Sequence, residues 1–199
     1  MNLFYNLNGV GDVAFLQVKT VEGPYSYEKM NEVMIIKSNN EVVGFNLFNA
    51  SKHLNILGKG LIKLDQQLVA DIQTMLNNAN VNYQLEVDFA PKFVVGYVES
   101  KEKHPNADKL SICQIDVGSE TLQIVCGAPN IEQGQKVVVA KVGAVMPSGM
   151  IIKDAELRGV PSSGMVCSMK ELNLPNAPKE KGIMVLNDSY QVGQPFFDE

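Results

Sequence analysis

With 199 residues, 45% of them apolar, the chain can build a real core for one large domain or two small ones, which excludes global disorder. The formal net charge of -5 excludes capture of a polyanion by the field of the whole molecule, so any nucleic-acid partner needs a local basic patch. Cys113, Cys126 and Cys167 are odd in number and form no CxxC pair, which argues against a disulfide framework or a zinc site and for buried thiols in a reducing compartment.

The opening MNLFYNLNGVGD has no basic leader region, and no run approaches the roughly 18 apolar residues of a membrane span. We therefore expect a soluble, cytoplasmic protein with no membrane partner. FYNL, VAFLQVK, VMIIK and EVVGFNLF predict three or four strands, with SNN at 38–40 as a hairpin turn. Leu64, Leu68, Ile72, Met75 and Leu76 then recur at helical spacing, and the polar residues 77–80 stop the pattern. This predicts one amphipathic helix on a sheet.

The GKG at 58–60 lacks the first Gly and the closing Ser or Thr of a phosphate loop, since His53 and Gly60 stand there, so it reads as a turn. His53 has no second ligand at metal spacing and reads as a surface histidine. Nine of the fourteen aromatics lie in this half; most are expected in the core, with Tyr25 and Tyr27 beside Pro24 as a possible contact patch. Pro91 should end a strand formed by LEVDF and mark a boundary between an α+β domain of unknown role, 1–90, and a second domain, 91–199. Neither half is a basic tail: six Lys face nine acids before Pro91, and ten Lys and one Arg face thirteen after it.

From residue 93 the segments VVGYVES, LSICQIDVG, ETLQIVCG, QKVVVAKVG and GMVCS predict five short strands in an all-β unit of the OB type, which removes its edges by closing into a barrel. Residues 106–108 read as a strand connection and residues 118–120 as a tight hairpin. Three signatures punctuate these strands: HPNADKL at 104–110, CGAPN at 126–130 and LRGVPSSGM at 157–165. In that order they resemble the tRNA-binding domain of the bacterial phenylalanyl-tRNA synthetase β subunit, of some methionyl-tRNA synthetases and of the endothelial-monocyte-activating polypeptides. The two-part layout is similar to the short bacterial proteins of the YtpR type.

The resemblance implies a non-catalytic OB-fold module with tRNA as its ligand, no cofactor, and a synthetase subunit or a second copy as further partners. Ser162 and Met165 match family positions implicated in RNA contact, and Lys153 and Arg158 match basic positions on the same side. Asn130 can bond backbone or RNA, and Lys109 and Lys141 complete the expected set. His104, Asn106 and Asp108 match the first signature, where an Asx turn after Pro105, a local ion pair and a surface histidine cap would give an architectural role.

Each residue keeps a second reading. Arg158, the only arginine, could instead clamp Asp154 or Glu156. Ser162 and Ser163 could simply close a loop around Gly164, and Met165 could be core. Residues 104–167 contain no Phe, Tyr or Trp, which argues against base stacking there and for recognition of shape, backbone and 2′-hydroxyls, unless Tyr97 serves. Over residues 136–170 five cations face two acids, a surplus that neutralises about three phosphates and fits affinities of ~10⁻⁴ to 10⁻⁶ M. No HExxH, GxSxG, Walker or cofactor fingerprint is present, so an enzyme is not expected. The alternative to RNA binding is an adaptor that docks onto a synthetase or another protein.

Overall fold

The computed structural model describes residues 1–197. The chain divides into two compact units, Met1–Ala90 and Pro91–Glu199. Both are built mostly of antiparallel sheet with few helices.

The first unit contains β1 (Asn2–Tyr5), α1 (Leu7–Val10), β2 (Val13–Gln17), β3 (Ser26–Met30), β4 (Val33–Ser38), β5 (Glu41–Phe48), α2 (Ala50–His53), β6 (Gly60–Ile62) and α3 (Gln66–Asn78). Its six strands run in the order β3-β4-β5-β2-β1-β6, all pairs antiparallel. Alternate residues such as Leu3, Tyr5, Ala14, Leu16, Val33, Ile35, Phe45 and Leu47 share one buried face, as a period of two requires. Against it lies α3, whose Leu68, Ile72, Met75 and Leu76 are buried and whose start is capped by the Asp65 carboxylate accepting from the Leu68 N–H at 2.7 Å. Leu64 falls one residue before that cap and packs on the core from outside the helix.

The 38–40 turn forms as expected: Ser38 pairs with Glu41, and Asn39 and Asn40 both take positive φ (50° and 65°), which asparagine tolerates in a two-residue hairpin. Three features depart from the sequence reading. The segment 26–30 is an edge strand although four of its five residues are exposed, because the β4 ladder rather than burial holds it. The glycines of LGKGL open into β6, which pairs with β1. LEVDF, residues 85–89, forms no strand; at its start the Gln73 carboxamide accepts from the Leu85 N–H and donates to the carbonyl of Tyr83, two residues earlier.

The second unit comprises β7 (Phe93–Lys103), β8 (Ser111–Asp116), β9 (Thr121–Cys126), β10 (Lys136–Ala140), β11 (Asp154–Leu157), β12 (Val160–Ser163), β13 (Met165–Val166) and β14 (Val185–Leu186). Its main sheet runs β13-β10-β7-β8-β9, with β14 also on β10, while β11 and β12 form a separate hairpin. No ladder joins β9 to β13, so the closed barrel expected from the sequence is not formed as a continuous sheet. The chain from β12 to β13 spans that gap instead. Gln123 Nε2 donates to the Pro161 carbonyl at 2.8 Å, and the Val125 N–H donates to Ser162 Oγ at 3.0 Å. Between these strands Gly164 turns at φ +119°, where a Cβ would lie 3.0 Å from the Ala140 carbonyl oxygen. Side chains thus do across this edge what backbone pairs do elsewhere in the sheet.

Among the described residues, no helix is long and apolar enough to cross a membrane.

Candidate nucleic-acid interface

The first signature acts as a lock. His104 is 5% exposed, not the surface cap expected, and both ring nitrogens are used. Its Nδ1 accepts from the Asn106 N–H at 3.0 Å, which leaves the ring proton on Nε2 to donate to the Leu157 carbonyl at 2.9 Å. The Asn106 carboxamide, expected to close its own Asx turn, donates instead to the Arg158 carbonyl at 3.3 Å. HPNADKL therefore grips the tip of the β11–β12 hairpin, 50 residues further along.

That tip is the turn Arg158-Gly159, with both residues at positive φ (53° and 87°). Arginine is unfavourable in this conformation, and the two bonds from the first signature hold it there. The Arg158 side chain is exposed and, among the described residues, has no carboxylate within ion-pairing distance. The alternative reading, a clamp to Asp154 or Glu156, is not formed among the described residues; Asp154 accepts from Ser163 Oγ at 2.7 Å. Lys153 is exposed at the base of the same hairpin, and Lys109 is exposed in the loop that grips its tip. Lys153 and Arg158 thus flank β11 on the hairpin, and Lys109 lies on the loop that grips its tip.

The other expected contact residues are placed differently. Ser162 is 4% exposed and its hydroxyl accepts from the Val125 N–H, so its side chain fastens β12 to β9. Asn130 spends both ends of its carboxamide on Ile183, donating to the carbonyl at 3.0 Å and accepting from the N–H at 2.9 Å. Lys141 follows β10 directly and is paired with Glu120 at 3.0 Å. Met165 is half-buried, packed on an apolar cluster with one side open to a groove. The sequence reading passed over Lys179 and Lys181 at that groove; the run PKEKG was the available signal.

Burial pushes the Cys113 thiol up to about 11 and the Cys167 thiol up to about 12, and raises Cys126 as well, so none is poised as a nucleophile. Among the described residues, no group of three or more His, Cys, Asp or Glu side chains could hold a metal ion.

Residues 93–195 match the family described as "Putative tRNA binding domain", and residues 20–88 match a domain of unknown function, DUF4479. Over 199 residues the chain is 60% identical to "Putative tRNA-binding protein YtpR" of Bacillus subtilis (strain 168), covering 98% of this chain and 99% of that protein. It is 55% identical to the phenylalanine–tRNA ligase β subunit of Nitratidesulfovibrio vulgaris over 113 residues, which cover 56% of this chain but 14% of that subunit. Among solved structures, a MetRS related protein from Pyrococcus horikoshii aligns at 23% identity and a TM-score of 0.40, over 53% of this chain and 88% of that one. With one relative matched end to end and the second unit matched almost throughout, the chain belongs to the tRNA-binding domain family, as a two-part member of the YtpR type.

Proposed function

We propose that the second unit is an OB-type module that holds folded tRNA and catalyses no reaction. The observation that carries this reading is the locked hairpin. Lys153 and Arg158 stand exposed and, among the described residues, without ion pairs on a hairpin whose turn is fixed by His104 and Asn106, with Lys109 on the gripping loop. A cation on fixed backbone has only its side chain to order when it meets a phosphate, whereas one on a loose segment must order backbone as well. Absence of aromatics from residues 104–167 favours a ligand read by shape, as a folded RNA is. The end-to-end likeness to a protein named for tRNA binding supports the same ligand.

Bulk tRNA, an RNA duplex and an unstructured RNA of equal length, titrated at two salt concentrations, test the proposal. It requires preference for tRNA and a log-log salt slope of about -2 to -3, from roughly three neutralised phosphates. Arg158→Ala combined with Lys153→Ala should weaken tRNA binding with little change in melting temperature. Absence of tRNA binding at low salt overturns the reading.

A second reading, an adaptor that docks onto a synthetase subunit or another protein, draws on the first unit. There Tyr25 is 45% exposed and Tyr27 64% exposed, along a shallow groove that also includes Phe15, Val21 and Ile36. A pull-down that returns a synthetase subunit, from a chain that ignores tRNA, would select it.

A further inference from the structure

The locked hairpin offers charge but nothing on which a base could lie. A second feature of the same unit supplies that. Residues 125–128, 165–166, 168–171 and 178–183 surround an open groove of about 540 Å³. Its apolar lining includes Met165, Val166, Met169 and Ile183, and Lys170, Lys179 and Lys181 stand around it.

The wall that carries Lys179 and Lys181 is held in place. Asn130 grips Ile183 by both backbone groups, and the Met184 N–H donates to the Cys167 carbonyl at 2.9 Å. Gly182 passes so close under Asn130 that a Cβ there would sit 2.8 Å from its carboxamide oxygen. Two carboxylates also line the groove, Glu171 and Glu180. Glu171 is turned onto its own chain, accepting from the Ser168 N–H at 2.8 Å and the Ser168 hydroxyl at 2.6 Å. The three lysines have no ion pair among the described residues.

An apolar lining edged by free cations fits a ligand that is flat and apolar in one part and anionic in the next. Within a polynucleotide, only an unpaired residue has that form, since in a helix the base faces are stacked and out of reach. The volume lies in the usual range for small-ligand sites, and thioether and aliphatic groups can hold a base face by dispersion where no aromatic ring is available. We propose that this groove seats an unpaired nucleotide of the bound RNA, with its base over Met165 and Met169 and its flanking phosphates held by Lys179, Lys181 and Lys170. The inference rests on the tRNA-binding reading above and adds to it a site for single-stranded RNA.

The test uses the full chain and three fluorescent RNAs: tRNA, a blunt hairpin, and the same hairpin with a short single-stranded 3′ extension. The wild-type chain should bind the extended hairpin at least about fivefold more tightly than the blunt one, the effect of one further phosphate contact near 0.1 M salt. In Lys179→Ala/Lys181→Ala that preference should vanish, and the log-log salt slope for the extended hairpin should flatten by about 1.4. Lys153→Ala/Arg158→Ala should weaken both hairpins and keep the preference. If the wild type binds tRNA but shows no preference for the extension, or if the folded Lys179/Lys181 variant retains it, the nucleotide site is overturned and the tRNA reading stands. If the wild type binds no tRNA, both fall.

Discussion

The two units differ in what carries their cations. In the first, the helix and the six strands meet over a continuous apolar layer, and Ser38 is its one buried polar residue among those described, although Gln73 and Asp12 also fasten backbone at Leu85 and Ser51. In the second, the cation-bearing segments are fastened by single polar side chains: His104 to the β11–β12 turn, Ser162 to β9, and Asn130 to the tail at Ile183. A four-residue turn or a short strap cannot bury enough apolar area to offset its own ordering, whereas a buried hydrogen bond is directional and costly to leave unmade. Apolar area sets the sheet in one unit; in the other, a few polar atoms decide where the charges stand.

If that contrast is right, apolar truncation in the first unit should have the largest effect on stability. Phe45 is fully buried and meets Tyr83 edge-on at 5.2 Å, so Phe45→Ala should cost about 3–5 kcal/mol in urea denaturation. His104→Ala removes a buried ring and leaves the Asn106 N–H and the Leu157 carbonyl without their partner. It should cost about 2–3 kcal/mol and weaken tRNA binding too, because the Arg158 turn loses its support. A His104→Ala protein that binds tRNA normally would break the comparison.

Asn130→Leu keeps the bulk of the side chain and loses both bonds to Ile183. A cost of about 1–3 kcal/mol is expected, with faster proteolysis between residues 178 and 183. Ser162→Ala leaves one N–H, that of Val125, unpaired and should cost about 1 kcal/mol, with tRNA affinity of the folded protein unchanged. Should Ser162→Ala abolish binding without loss of stability, the hydroxyl touches RNA after all.

The smallest effect is at the acid limb of the first unit. Bonds from the Ser51 hydroxyl and N–H, with a smaller contribution from Tyr5, hold the Asp12 carboxyl below its usual value of 3.8. A carboxyl lowered by folding contributes stability above its unfolded value and loses that contribution as pH falls through the folded one. Asp12→Asn should therefore flatten the loss of stability below about pH 4 and leave the profile near neutrality unchanged in shape, as pH-dependent urea midpoints would show.

Much was legible in the residues. The α3 helix followed from the spacing of Leu68, Ile72, Met75 and Leu76, and the β4–β5 hairpin from two adjacent asparagines, because both depend on neighbours within a few positions. The three signatures identified the family, yet their atoms behave differently from the roles expected of several of them. His104 points into the fold, Asn106 bonds across 52 residues, and Asn130 and Ser162 are consumed by backbone groups 53 and 37 residues away. Edge strand β3 was missed because its exposed residues carry no alternation, and LEVDF finds no partner strand, its Leu85 N–H going to the Gln73 side chain of α3.

By itself, the sequence determined the antiparallel-rich architecture, the family, and an overall acidity that confines any RNA contact to a local patch. Local pattern and composition suffice for these, since propensity and periodicity act over short stretches. Only the tertiary structure decided which polar residues face outward. The same Asn or Ser can meet water, ligand or backbone, and the choice depends on what distant segment the fold places beside it. That choice left Lys109, Lys153 and Arg158 exposed on the locked hairpin and its gripping loop, and set Lys179 and Lys181 along the groove beside Met165.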